Sequence, residues 1–262
     1  SKRFERTWLD MTIIDASFFS ENLTRKVSFS AIIPEKNRAS GALQTLYLLH
    51  GYSGDRKDWL YAGQIEQLAE NYGIAVILPN GENSYYVDHP NGLGYGKLTG
   101  EELVRETRSL FPLSEKREDT WIAGLSMGGY GALRNGLYYD QTFSKIAALS
   151  SRILTRKPED PTHTYPDRIM KVLIGSDKTA DIPDEMDLYH LAENSGQQPA
   201  LYMACGTSDF LYKDNVEFHA YLKQADYPHQ YVEDEGDHNW EFWNQQIISA
   251  LDWLTEKEQL NT

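Results

Sequence analysis

The sequence predicts an α/β fold: a mostly parallel central sheet with helices on both faces and a small cap-like insertion. Three observations predict it. Short continuous apolar runs recur along the chain, bounded by Gly, Pro, Asn and Asp, as suits strands buried on both faces. Helix-like segments alternate with those runs, the pattern of a parallel sheet. A Gly-x-Ser-x-Gly pattern, Gly124-Leu125-Ser126-Met127-Gly128, lies where one run gives way to a helical segment.

The elements follow in order. Lys26–Ile33 alternates, ends at Pro34, and reads as an early, partly exposed strand. Leu46–Leu49, Ile74–Leu78, Trp121–Ala123, Ile146–Leu149 and Leu201–Ala204 read as buried strands, and Gln230–Val232 as the last strand. Asp58–Asn71 carries Leu60, Ile65, Leu68 and Ala69 at helical spacing. Gly100–Leu110 follows Thr99, a candidate N-cap, with acidic residues in its first turn. Met127–Tyr138, Asn215–Ala225 and Trp240–Lys257 complete the helices. The stretch Ser151–Asn194 differs. It holds Pro158, Pro161, Pro166 and Pro183, many charges, and one clear apolar run at Val172–Ile174. It reads as an insertion over the C-terminal edge of the sheet, where ligands bind in open α/β folds, and as a cap that shapes the substrate site.

Residues 11–262 are expected to form a single domain, since α/β folds of this length need not split. Residues 1–10 precede Met11 and read as a leader outside the fold. The formal net charge of -14 repels phosphate backbones and anionic lipid heads, so neither nucleic acid nor a membrane is an expected partner. Cys205 is the sole cysteine, which excludes an internal disulfide. No apolar run approaches a membrane span and no signal-peptide core is present, so a cytoplasmic location is the default expectation. A homo-oligomer is compatible with the sequence.

The chemistry centres on Ser126. A strand-to-helix turn lifts its hydroxyl above the sheet edge, and flanking glycines remove side chains that would collide there. The helix that follows brings free backbone N–H groups to the reacting centre. Serine needs a base, and this arrangement orders the chain as Ser, then acid, then His. Of seven histidines, His238 alone lies on a loop after the last strand, in Glu235-Gly236-Asp237-His238-Asn239-Trp240. His229 precedes that strand, His219 lies within a helix, and His163 and His190 lie in the insertion. The acid is expected at Asp209, directly after the strand Leu201–Ala204, with Asp214, Asp234 and Asp237 as rivals. Two backbone N–H groups should form an oxyanion hole: that of Met127, and one from the loop after an early strand. In Leu48-Leu49-His50-Gly51-Tyr52-Ser53-Gly54 the expected donor is Tyr52, with Ser53 as runner-up and His50 as a brace for the loop. No His/Cys cluster has metal-ligand spacing, and the chemistry needs no cofactor.

Together these residues carry a family resemblance. Leu49-His50-Gly51-Tyr52-Ser53-Gly54 with Trp59, Gly124-Leu125-Ser126-Met127-Gly128-Gly129-Tyr130-Gly131-Ala132, Gly206-Thr207-Ser208-Asp209 and Gly236-Asp237-His238-Asn239-Trp240 span most of the chain. In that order they resemble the esterase D group of α/β-hydrolases, which includes S-formylglutathione hydrolases, feruloyl and acetyl-xylan esterases, and bacterial tributyrin esterases. The start Met11–Ser20 and the compact length look most like the tributyrin esterases. The resemblance implies an α/β-hydrolase fold and a triad of Ser126, Asp209 and His238. It also implies hydrolysis of short-chain acyl esters without a cofactor. The His50-Gly51 dipeptide departs from the S-formylglutathione hydrolases, which makes thioester hydrolysis a secondary reading. Removal of acetyl or feruloyl groups from glycans is another: Tyr85, Tyr86 and Tyr95 lie in a Gly-rich stretch near the expected site edge, as stacking platforms or as ordinary packing. A non-catalytic binding protein on a hydrolase scaffold is the reading of another class. It disfavours itself by retaining all three residue types of the triad.

Overall fold

The computed structural model describes residues 11–37, 42–156 and 167–256. The expected leader, His163, Pro158, Pro161, Pro166 and Lys257 lie outside the described residues. The chain runs β1 (Met11–Ser20), β2 (Arg25–Pro34), β3 (Thr45–Leu49), α1 (Asp58–Ala62), α2 (Ile65–Tyr72) and β4 (Ala75–Pro79). Then come α3 (Tyr95–Lys97), a π-helical turn (Leu98–Glu102), α4 (Leu103–Leu110), β5 (Thr120–Leu125), α5 (Met127–Tyr138) and β6 (Lys145–Leu149). The rest is α6 (Asp167–Ile174), α7 (Leu188–Asn194), β7 (Ala200–Gly206), α8 (Tyr212–Gln224), β8 (His229–Asp234) and α9 (Trp240–Leu254).

The strands form one eight-stranded sheet in the order β1-β2-β4-β3-β5-β6-β7-β8. β1 and β2 pair antiparallel with their neighbours, and every pairing from β4 to β8 is parallel. The apolar runs explain the layers. Alternate residues of a strand point to opposite faces. Tyr47 and Ile122 join Tyr130 and Leu133 of α5 and Phe218 of α8 on one face. Leu46, Leu48 and Trp121 join Trp59, Leu68 and the α9 residues Phe242, Ile247 and Leu251 on the other. Both faces of β3, β4 and β5 are buried throughout, so these strands read as continuous hydrophobic runs rather than alternating ones.

Four local expectations are corrected. The helix expected over Asp58–Asn71 is broken: Gly63 is extended at φ -113° and ψ -177°, which ends α1 and re-aims the chain into α2. The helix expected from Gly100 begins earlier, at Tyr95. Thr99 does not cap it, because its hydroxyl is inside the π-helical turn and donates to Tyr95 O at 2.8 Å. The helix expected from Asn215 starts at Tyr212. β1 was not expected as a strand. It lies at the sheet edge, with Ile14, Ala16 and Phe18 packed on the core and Ile13 and Phe19 exposed. Its doubled apolar pairs, Ile13-Ile14 and Phe18-Phe19, blur the period-2 signal.

The described part of 151–194 lies against α5. Tyr130 Oη donates to Met186 O at 2.8 Å and Arg134 Nε donates to Glu185 O at 2.7 Å. α6 buries Met170 and Leu173 and leaves Val172 exposed. Among the described residues no helix is long and apolar enough to cross a membrane.

Candidate active site

Ser126 stands between the end of β5 and the first residue of α5. Its backbone is at φ 55° and ψ -116°, a conformation that non-glycine residues rarely hold. Such strain costs on the order of 1–3 kcal/mol and persists where the surroundings over-determine it. Here they do. Ser126 N–H donates to Leu149 O at 2.9 Å, and its carbonyl accepts from Tyr130 N–H at 3.1 Å and Arg152 N–H at 3.2 Å. The turn closes only because its flanks lack side chains. A Cβ on Gly124 would sit 2.2 Å from Gly128 O, and one on Gly128 would sit 2.5 Å from Leu49 O.

His238 lies on the loop between β8 and α9, and its Nε2 is 2.9 Å from Ser126 Oγ. Its Nδ1 is 2.9 Å from Asp209 Oδ2 and 3.1 Å from Oδ1. An ionised carboxylate only accepts, so Nδ1 carries the hydrogen and Nε2 is left to accept from the serine hydroxyl. Burial pushes the Asp209 carboxyl pKa up, but the hydrogen bonds from His238, the Leu211 N–H and the Ser150 hydroxyl outweigh it and hold the carboxyl below its ordinary range. The Leu211 N–H bond is 2.8 Å long. The three expected residues therefore meet in one hydrogen-bonded chain.

The rival acids are engaged elsewhere. Asp214 faces Arg152 at 3.7 Å. Asp237 accepts from His238 N–H, a backbone contact at 2.7 Å, and Asp234 accepts from Glu235 N–H and Gln245 Nε2. The other described histidines have structural surroundings. His219 and His229 bond to each other at 2.8 Å at the start of β8, and His190 faces Asp184 at 3.8 Å. His50 is buried. Its Nδ1–H donates to Gly51 O at 2.8 Å and its Nε2 accepts from Gly81 N–H at 2.9 Å, so both nitrogens brace the loop after β3. Burial lowers its pKa, which suits a neutral brace.

That loop lies against the serine: a Cβ on Gly51 would be 3.6 Å from Ser126 Cβ. Ser53 N–H is spent on Asn83 Oδ1 at 2.7 Å. This leaves Tyr52, one residue from Gly51, as the candidate second oxyanion donor beside Met127 at the start of α5. Of the three tyrosines at issue, Tyr86 and Tyr95 are buried packing residues. Tyr86 Oη donates to His50 O at 3.0 Å, and Tyr95 Oη donates to Glu82 at 2.8 Å. Tyr85 is also buried, with its ring 6.1 Å from that of Tyr52.

Three neighbours escaped the sequence reading. Ser150, at φ 46° after β6, accepts from Trp243 Nε1 at 3.0 Å and supports Asp209. Trp243 sets its ring edge against His238 at 5.0 Å between centroids. Phe210, the residue after Asp209, is 71% exposed yet lies 4.6 Å from the His238 ring. Adjacency to Asp209 and to a strand end is the one signal that could have raised Phe210 and Ser150.

The family model described as "Putative esterase" matches residues 20–254, nearly the whole described chain. The chain belongs to this esterase family. An acetyl esterase of Caldicellulosiruptor saccharolyticus is 41% identical, over 94% of this chain and 99% of that one. Among solved structures, the fluorophosphonate-binding serine hydrolase F of Staphylococcus aureus superposes with a TM-score of 0.83 at 32% identity, covering 94% of this chain and 98% of that one. An S-formylglutathione hydrolase of Staphylococcus aureus superposes at 0.81 with 31% identity, covering 94% and 99%. The esterase thus has the α/β-hydrolase fold and is a serine-dependent carboxylic ester hydrolase of the group its motifs resemble.

Proposed function

We propose that this esterase hydrolyses small, short-acyl esters, with Ser126 as nucleophile, His238 as base and Asp209 as acid. The observation that carries the reading is the unbroken bonding from Ser126 Oγ through His238 to Asp209. His238 Nε2 takes the Ser126 proton as Oγ attacks the ester carbonyl. The N–H groups of Met127 and Tyr52 stabilise the oxyanion. Asp209 holds the imidazole tautomer and stabilises the imidazolium. His238 then protonates the leaving alcohol, and water hydrolyses the acyl-enzyme by the same route. The stretch 151–194 acts as a cap, a role supported by the position of α6 beside Tyr52. Residues 11–262 act as one domain, in the cytoplasm, on free small molecules; the net charge of -14 supports the exclusion of nucleic acid and anionic membranes.

A chain-length series tests the substrate class. Acetyl to butyryl esters should be preferred, with kcat/KM falling steeply beyond about six to eight carbons. A methylene in a fitted pocket is worth only about 1–3 kcal/mol, so a limit of this kind comes from steric closure. Efficient turnover of palmitoyl esters would refute it. S-Formylglutathione belongs in the same series, because a neighbour of that activity is 31% identical; a kcat/KM for it above that of every oxygen ester would favour the thioester reading.

The oxyanion assignment has its own signature. Tyr52→Phe keeps the N–H and should retain most activity. Tyr52→Pro deletes it and should lower kcat by about 10²–10³. Equal activity in the two variants would move the donor elsewhere.

A further inference from the structure

A cavity is lined in part by Tyr52, the proposed oxyanion donor. It has a volume of about 140 Å³ and lies between α6 and the loops after β3 and β4. Tyr52, Asn83 and Tyr85 form one wall, and Ile169, Val172 and Leu173 of α6 form the other. Arg168, exposed to solvent, is the one charged residue of the lining. We infer that this cavity receives the acyl chain of the ester and that α6 sets the longest chain accepted. The inference rests on the esterase reading above and adds the place where acyl length is measured.

Two observations carry it. The first is sidedness. Along the sheet the order is β4, β3, β5, β6, β7, β8. Ser126 follows β5, while Asp209 and His238 follow β7 and β8, so the imidazole reaches the serine from that side. The leaving alcohol must lie next to His238 Nε2 to be protonated. The acyl chain leaves the same carbonyl carbon in another direction. Tyr52, Asn83 and Tyr85 of the cavity wall stand on the loops after β3 and β4, which lie on the other side of β5 in the sheet from β7 and β8. Tyr52 belongs both to that wall and to the oxyanion loop, and α6, from the stretch after β6, closes the cavity. On the alcohol side stands Phe210, whose ring is 71% exposed.

The second is size and polarity. An apolar cavity of about 150 Å³ holds benzene, so this one has room for a group of about six carbons. Its floor is fixed. Leu173 is 1% exposed and Tyr85 is 4% exposed, and the Tyr85 hydroxyl is tied to Arg152, whose N–H bonds the Ser126 carbonyl at 3.2 Å. Aliphatic side chains on α6 and tyrosine rings opposite suit an unbranched or small aromatic acyl group rather than a sugar.

The experiment measures kcat/KM for p-nitrophenyl acetate, butyrate, hexanoate and octanoate, beside an alcohol series of acetates. Val172→Phe adds bulk to the cavity and should lower the hexanoate-to-acetate ratio by about tenfold or more. Ile169→Ala removes bulk and should raise the octanoate-to-acetate ratio by about the same factor. Neither change should alter the ranking of the alcohol series. Acyl ratios unmoved in both variants, with Ser126 still labelled by a fluorophosphonate, overturn the acyl assignment and leave the esterase reading intact. A shift in the alcohol ranking instead makes the cavity the leaving-group site and equally overturns it. A wild type that neither turns over esters nor labels removes the esterase reading and this inference with it.

Discussion

Ser126→Ala should abolish ester hydrolysis while leaving the fold unchanged. Removal of the nucleophile in a comparable triad costs on the order of 10⁶ in kcat, because the three groups act as a unit. The residual rate, on the order of 10³–10⁴ over water, comes from the oxyanion donors and binding. Folding should survive because the Ser126 contacts that hold the turn are backbone ones, to Leu149, Tyr130 and Arg152. Alanine does keep the unfavourable φ of 55°, so the variant inherits the strain without adding to it. Steady-state rates with an acetyl ester, beside far-ultraviolet circular dichroism, check both halves. Activity within about tenfold of wild type would rule Ser126 out, since no triad loss is that small.

Asp209→Asn should lower kcat by roughly 10⁴, since an amide favours the wrong imidazole tautomer. Asp214→Asn, Asp234→Asn and Asp237→Asn should cost far less, because none of these carboxylates touches the His238 ring. A crippled Asp237→Asn beside an active Asp209→Asn would reassign the acid. The same substitution has a stability signature. The folded state holds the Asp209 pKa below its ordinary value, so protons bind this carboxylate more readily in the unfolded chain. Its contribution to stability is complete above the ordinary carboxylate range and is lost as pH falls through the lowered folded value. Thermal unfolding of the wild type should therefore lose more stability on acidification than that of Asp209→Asn.

The parts that were legible in the sequence are those where one local rule decides. Strands β3, β4 and β5 are buried on both faces, so they appear as unbroken apolar runs. The turn at Ser126 needs glycine at 124 and 128 because neighbouring backbone occupies the side-chain positions, and that need writes the motif. Asp209 and His238 are expected from chain order and from their places after β7 and β8, and the structure brings both into one hydrogen-bonded chain with Ser126. What stayed hidden depends on contacts distant in sequence. Gly63 looks tolerable inside a helix until it is seen to turn the chain between α1 and α2. Ser150 has no motif of its own. Its meaning comes from Trp243, 93 residues away, and from the Asp209 carboxylate. Ser53 could be set aside as oxyanion donor only once Asn83 was seen to occupy its N–H. The α6 cavity joins residues from three separate loops and helices, and no periodicity in the chain announces it.

The most direct test of Ser126 as the covalent nucleophile is to trap the acyl-enzyme. The esterase is mixed with a short-chain p-nitrophenyl ester, quenched in acid within the first turnovers, digested and mapped by mass spectrometry. The acyl group should be found on the peptide holding Ser126 and should be absent from Ser126→Ala treated in the same way. An acyl group on any other residue of the wild type, or rapid turnover of the ester by Ser126→Ala, would contradict it.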